Sequence, residues 1–266
     1  MHLNKGGALV ALTSAGLVGF AACSLDSAGP SQPNPNCNQF VSFAVGDTVR
    51  DAVTTSSCRE SDGSYENLYE FTLSSATKVR LSLSSPLHVA LVEVGDSTGG
   101  LVANSTTGPL DTTATVRMIL KPGLYKVGVN SAATTPSGTF RMVVAADNSP
   151  VTGCGLIWVT TGVTTTQTIT TADCTGGPLG SKYYYHGYIT LFPVSGELKL
   201  SEHSTAFVPA VFVVSATSGS VLTLSSIDST NTTAVVDYLP SATDFLEILV
   251  GSSDSLQVGQ YTLTIP

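Results

Sequence analysis

The feature that most constrains this chain is that its body is written twice. Cys37 and Cys58 lie 21 residues apart, and Cys154 and Cys174 lie 20 apart. The ends of the two halves then align without a gap at an offset of 121: Leu124–Val144 (LYKVGVNSAATTPSGTFRMVV) against Phe245–Ile265 (FLEILVGSSDSLQVGQYTLTI). Both stretches are two alternating segments around a polar turn closed by Gly. Tyr125, Val127 and Val129 share one face, as do Leu246, Ile248 and Val250, and the returning segments set Phe140 and Met142 against Tyr261 and Leu263. Upstream, Leu87–Val94 corresponds to Phe207–Val214, with Ala90 against Ala210. Repeats of this length are tandem domains rather than a solenoid, whose units run about 20 to 50 residues.

Apolar residues alternate with polar ones throughout, and turn signals recur every 8 to 12 residues or so, the pattern of an antiparallel sandwich. In the first half the predicted strands fall near 39–45, 48–54, 67–73, 77–83, 87–94, 100–104, 114–120, 124–130 and 138–144. The expected fold is all-β: two tandem, jelly-roll-like β-sandwich domains spanning 37–147 and 151–266. They are joined by the short Asn148-Ser149-Pro150 and therefore in contact.

Composition supports strands. Only 11% of residues are charged, and the Ser-, Thr- and Val-rich remainder suits a pleated sheet with a hydroxyl-decorated wet face. A net charge of −8 leaves too little clustered Lys and Arg for a nucleic-acid partner. The second half, with Lys182 and Lys199 as its two bases from Val151 onward, is the more acidic.

The first 22 residues read as an export signal: Lys5 in a charged start, a short apolar run from Ala8 to Phe20, then small residues. The run is too short to span a bilayer, which takes ~20 apolar residues. Phe20-Ala21-Ala22-Cys23 resembles the lipobox of bacterial lipoproteins, with Phe where Leu is usual, and Ser24–Asn36 is a Ser/Pro-rich tether. The resemblance implies acylation of Cys23 and an exported, lipid-anchored protein at the outer membrane or cell surface, Ser24 favouring the outer membrane. An exported chain folds where thiols oxidise, so the remaining four cysteines are expected in disulfides rather than on zinc. Of three pairings, Cys37 with Cys58 and Cys154 with Cys174 keeps each bridge inside one repeat, where a closed loop of this size contributes ~3 kcal/mol.

Three segments of the first half resemble the bacterial pre-peptidase C-terminal domain. They are Asn67–Leu73 (its Tyr-x-Phe strand), Lys121–Val127 (its Pro-Ala-Gly-Thr-Tyr strand) and Gly138–Val144 (its final Gly-x-Tyr-x-Leu strand). The second half keeps the last as Gly259–Ile265 and replaces the middle one with Ser241–Phe245. The resemblance implies a jelly-roll-like, non-catalytic accessory domain that aids secretion or binds a protein or polysaccharide surface. Some relatives bind calcium through acidic residues at the N-terminal edge. Asp47, Asp51, Glu60 and Asp62 are the candidates here, but they do not make a dense ligand loop, and no cofactor is expected.

Two local patterns invite a sharper reading. Gly95-Asp96-Ser97-Thr98-Gly99 matches the Gly-x-Ser-x-Gly of serine hydrolases, yet it sits between two strands and reads as a hairpin turn. Tyr183-Tyr184-Tyr185-His186-Gly187-Tyr188 would alternate along a strand, with Tyr183 and Tyr185 on one face and Tyr184 and His186 on the other. Tyr183, Tyr185, His186 and Tyr188 are candidate ligand-surface residues that could stack on sugars or anchor a protein, and core filling is the plainer use. Trp158 lies in an apolar segment and reads as core, while His88 and His203 stand alone.

Overall fold

The computed structural model describes residues 37–85, 90–106, 112–131, 138–151, 154–176, 180–192, 196–239, 244–254 and 256–266. Cys23 and the tether lie outside them, as do His88 and the start of the segment expected at 87–94.

The described chain is built of strands arranged in three sheets. The first sheet runs β1 (Val41–Ser42), β4 (Tyr65–Leu73), β9 (Gly123–Asn130), β6 (Leu91–Asp96) and β7 (Leu101–Thr106), with β3 (Cys58–Arg59) beside β4. The central sheet begins with β2 (Thr48–Val53), β10 (Gly138–Ala146), β5 (Thr77–Ser84) and β8 (Thr113–Leu120). It continues through β11 (Ile157–Val159) into β14 (Gly180–Phe192), β20 (Asp244–Ser252), β16 (Pro209–Ser215) and β17 (Val221–Leu224), with β13 (Cys174–Gly176) beside β14. The third sheet runs β12 (Val163–Ile169), β21 (Gly259–Ile265), β15 (Leu198–His203), β19 (Thr233–Tyr238) and β18 (Ser226–Ile227). The predicted strands recur with small shifts, except that the one expected at 39–45 contracts to two residues and β3 was not anticipated. Both disulfides pair within a repeat, Cys37–Cys58 and Cys154–Cys174.

Alternation does the folding. Leu81, Leu83, Met118, Met142 and Val144 of the central sheet meet Tyr69, Phe71, Tyr125, Val127 and Val129 of the first sheet in one apolar core. Tyr188, Ile248, Val250, Val211 and Val213 meet Leu198, Leu200, Val236, Tyr261 and Leu263 of the third sheet in another. Pairing registers sharpen the duplication: Val127 opposite Tyr69 matches Ile248 opposite Tyr188, so Tyr69 and Tyr188 are counterparts. They also correct one alignment, since Leu91 opposite Asn130 matches Ala210 opposite Gly251, making Leu91 rather than Ala90 the counterpart of Ala210.

The contact between the halves is closer than mere packing. β11 runs parallel to both its neighbours, with Trp158 opposite Met118 and Val159 opposite Ile119 on one side, and Ile157 opposite Tyr188 on the other. One sheet therefore passes from the first repeat into the second. Trp158 turns toward the first core, where it meets Phe245 edge-on at 5.6 Å, while Ile157, Val159 and Ile119 belong to the second core. The first and third sheets thus cover opposite faces of the central sheet, and each leaves the other end of it uncovered.

Candidate binding faces and buried polar networks

The tyrosine segment forms β14, and its alternation is as expected, with Tyr184, His186 and Tyr188 on the face toward the third sheet. The ligand-surface expectation fails for two of its four residues: His186 and Tyr188 are both 0% exposed. The third sheet covers that face, and burying large rings there is worth more than leaving them wet. Tyr183 and Tyr185 point the other way and are half-buried.

The buried side chains form a chain of polar contacts. His186 Nδ1 lies 2.7 Å from the Tyr261 hydroxyl, which lies 2.6 Å from that of Tyr188. On the other side of the ring, Nε2 is 3.1 Å from Asp173 Oδ2, off the line of a good hydrogen bond. A carboxylate at that distance still calls for an N–H rather than a lone pair at Nε2, so Nδ1 accepts from Tyr261 and Tyr261 accepts from Tyr188. Burial holds the imidazole below its ordinary pKa, against the pull of Asp173, so the ring is neutral. Desolvation likewise raises both tyrosine hydroxyls. In the first repeat the counterpart Tyr69 donates instead to Asp51 Oδ2 at 2.7 Å, with Asn67 also bonding that carboxylate. These networks satisfy polar groups that aromatic core residues carry with them.

Glu202 is a second departure between the repeats. By register it matches the apolar Leu83, since Ser82 opposite Val143 corresponds to Ser201 opposite Thr264. It is fully buried, its Oε2 accepts from the Ala210 amide at 3.1 Å, and Oε1 has no well-aligned hydrogen-bond partner among the described residues. Burial raises its pKa well above the carboxylate range, so it sits in the core as the neutral acid.

The acidic residues considered for calcium do not converge. Asp47 accepts the Ala44 amide in a turn, Asp51 serves Tyr69 and Asn67, and Asp62 accepts the Ser64 amide and hydroxyl. Glu60 and Asp62 instead lie near Glu66 and Glu93. Glu66 is buried on β4 opposite Cys58, and burial followed by repulsion from Glu60 and Glu93 raises its pKa well above normal. Glu93 is pushed from 4.5 to about 7 by the same two causes, burial first. Among the described residues, no group of three or more His, Cys, Asp or Glu side chains is arranged to hold a metal ion.

Ser97 occupies the hairpin turn between β6 and β7. Asp96 Oδ1 accepts the Thr98 amide and hydroxyl and the Gly100 amide there, and Gly99 takes a positive φ of 86°. The nucleophile reading required a strand-to-helix elbow, and the chain instead returns as an antiparallel strand.

A different surface emerges from strand register. On the half of the central sheet not covered by the third sheet, Arg50 of β2 is directly opposite Arg141 of β10, and Arg80 of β5 is directly opposite Arg117 of β8. Arg117 is held by Asp147 at 2.8 Å and by the carbonyl of Pro150. Arg50, Arg80 and Arg141 are exposed and have no ion-pair partner among the described residues. Ser82, Ser84, Thr113, Thr115 and Thr139, with half-buried Val143, fill the positions between them, and Arg50, Arg141, Ser84 and Thr139 line a shallow hollow together with Asp51 and Phe140. Like charges directly opposite each other destabilise a sheet, so their presence in a chain of net charge −8 demands a reason other than folding. Each arginine sits at a polar position of an alternating strand, which the sequence shows. That they converge depends on register between strands far apart in the chain, which it does not.

No family model and no curated protein matches this chain. Among solved structures, a pre-peptidase C-terminal domain of collagenase from Bacillus anthracis covers 40% of this chain and 94% of its own, at 14% identity and a TM-score of 0.33. That is the domain type that the first repeat's motifs resemble. A secreted protein from Eubacterium rectale covers 90% of this chain and 84% of its own, at 12% identity and a TM-score of 0.29. The PBSX exported protein XepA covers 83% and 87%, at 13% identity and 0.27. Likenesses this distant transfer no role to this chain.

Proposed function

We propose that this chain is a non-catalytic, exported lipoprotein, anchored through Cys23, that presents the arginine face of its first sandwich to an acidic polysaccharide. The observation that carries the reading is the cross-strand pair Arg50 and Arg141, exposed beside Arg80 without an ion-pair partner among the described residues, the carboxylate of nearby Asp51 being taken up by Tyr69 and Asn67. The rows holding Arg141 and Arg80 are four residues apart along antiparallel β10 and β5, or ~13 Å. That spacing suits successive charges on an extended polymer. Guanidinium groups bind carboxylate, sulfate and phosphate in a planar fork, and the intervening hydroxyls suit sugar hydroxyls. The exposed residues of the face are mainly guanidinium- and hydroxyl-bearing, with half-buried Val143 between the arginine rows, which fits a glycan better than a protein partner, whose interfaces are built round large apolar anchors. The lipobox-like Cys23 supports the anchor, and two disulfides support folding in an oxidising compartment.

The test is binding to acidic polysaccharides, such as alginate and polygalacturonate, against neutral dextran. Retention of the acidic polymers alone is expected, weakening with salt as screening sets in. Replacing Arg50, Arg80 and Arg141 together by Ala should weaken binding by roughly 10- to 100-fold, from about 0.5–1 kcal/mol per exposed charged contact. Equal retention of neutral and acidic polymers, or an unaffected triple variant, refutes the reading. For the anchor, Cys23→Ser should move the protein from the membrane fraction to the soluble one.

A further inference from the structure

The seam between the two halves has a donor side and an acceptor side, and the duplication supplies each of them a second time. The donor is β11, the acceptor the edge of β8 at Met118 and Ile119. In the first repeat the counterpart of β11 is β1, since Val41 opposite Tyr69 matches Ile157 opposite Tyr188. In the second, the counterpart of β8 is β19: Ser82 opposite Thr115 matches Ser201 opposite Val235, which makes Leu239 the counterpart of Ile119.

Burial at these four positions differs sharply. Inside the seam, Ile157 is 1% exposed and Ile119 is 3% exposed, whereas the outer counterparts Val41 and Leu239 are 58% and 70% exposed. Around Leu239 the same end of the molecule exposes Leu222, Leu224, Ile227 and Val235. β18 closes β19 only at Ala234 and Val235, and among the described residues no strand pairs with the outer edge from Val236 to Tyr238. Among the described residues, one end of the protein thus carries an unpaired donor edge at β1, and the other an apolar acceptor edge that β19 leaves unpaired from Val236 to Tyr238.

We propose that a second copy of this chain docks here, the β1 edge of one molecule lying parallel along the β19 edge of the next and repeating between molecules the seam that joins the two halves within one. Such a contact is heterologous: each molecule keeps a free donor and a free acceptor, so the series is open-ended. Edge strands that expose apolar side chains are templates for this kind of pairing. The arginine face takes no part, so the proposal stands or falls separately from the polysaccharide reading.

The test uses the exported chain with Cys23→Ser, which removes acylation and leaves the rest intact, followed by sedimentation velocity across concentration. For a weak edge contact with a Kd on the order of 100 µM, the protein should form a continuous series beyond the dimer as concentration rises. Val41→Glu and Leu239→Glu should each give monomers, with circular dichroism unchanged because both positions are exposed. An equimolar mixture of the two variants should form a dimer and stop there, because only one good donor meets one good acceptor. A monomer at every concentration up to about ten times that value overturns the proposal. So does a closed dimer, or association lost with Leu239→Glu but kept with Val41→Glu, which would place some other segment at this end.

Discussion

Glu93 offers the sharpest test of how this structure spends its charge. Burial, then repulsion from Glu60, raises its pKa from 4.5 to about 7. The folded state therefore holds a proton that the unfolded chain releases, and the associated stability is complete below pH 4.5 and lost as pH rises through 7. At full weight the shift corresponds to about 3 kcal/mol, and the side chain's partial contact with water brings the expected loss to about 1–2 kcal/mol. Glu93→Gln keeps the shape and removes the charge. Urea unfolding followed by Trp158 fluorescence, at pH 5 and pH 8.5, should show the parent losing about 1–2 kcal/mol more than the variant over that interval. His186, held below 6.5, runs in the opposite sense: its contribution is intact above that pH and declines as pH falls below it. Both proteins carry it, so it cancels in the comparison. A variant whose stability falls as steeply as the parent's would refute the placement of Glu93 among repelling carboxylates.

Other perturbations follow from the two repeats acting as controls for each other. Gly259→Ala should destabilise by about 2–4 kcal/mol, because its Cβ would lie 2.4 Å from Ala206 Cβ at a positive φ. Gly138→Ala, with φ 111° but open space, should cost only about 1–2 kcal/mol, and equal thermal shifts for the two would contradict this packing. Tyr261→Phe copies Phe140 of the first repeat but strands His186 Nδ1 and the Tyr188 hydroxyl, with an expected cost of about 2–4 kcal/mol in chemical denaturation. A neutral outcome there would mean that the hydroxyl chain holds nothing together. Replacing Cys154 and Cys174 by Ser should lower stability by ~3 kcal/mol under non-reducing conditions, and a smaller loss would point to residual structure in the unfolded chain.

Much of the fold was legible from spacing. Period-two alternation placed Tyr125, Val127 and Val129 inside, and the cysteine intervals gave the pairing that the structure contains. The tyrosine strand was read correctly as a strand, but a period of two says only that its faces differ. His186 and Tyr188 lie beneath the third sheet because of a packing partner more than seventy residues away at Tyr261. Glu202 could not be read as a buried acid, because its strand looks like an ordinary alternating one until register sets it against Leu83.

Sequence alone determined the strands, the duplication and the enclosure of a disulfide in each repeat, because these depend on neighbours within about 20 residues and on the side-chain period of two. Tertiary structure decided which faces are covered. The central sheet is continuous because β11 finds the edge of β8, and that pairing sets the first and third sheets on opposite faces, baring the arginines and the outer edges at Val41 and Leu239. Edge pairing uses backbone groups that every residue except proline carries, so the side-chain pattern does not announce it.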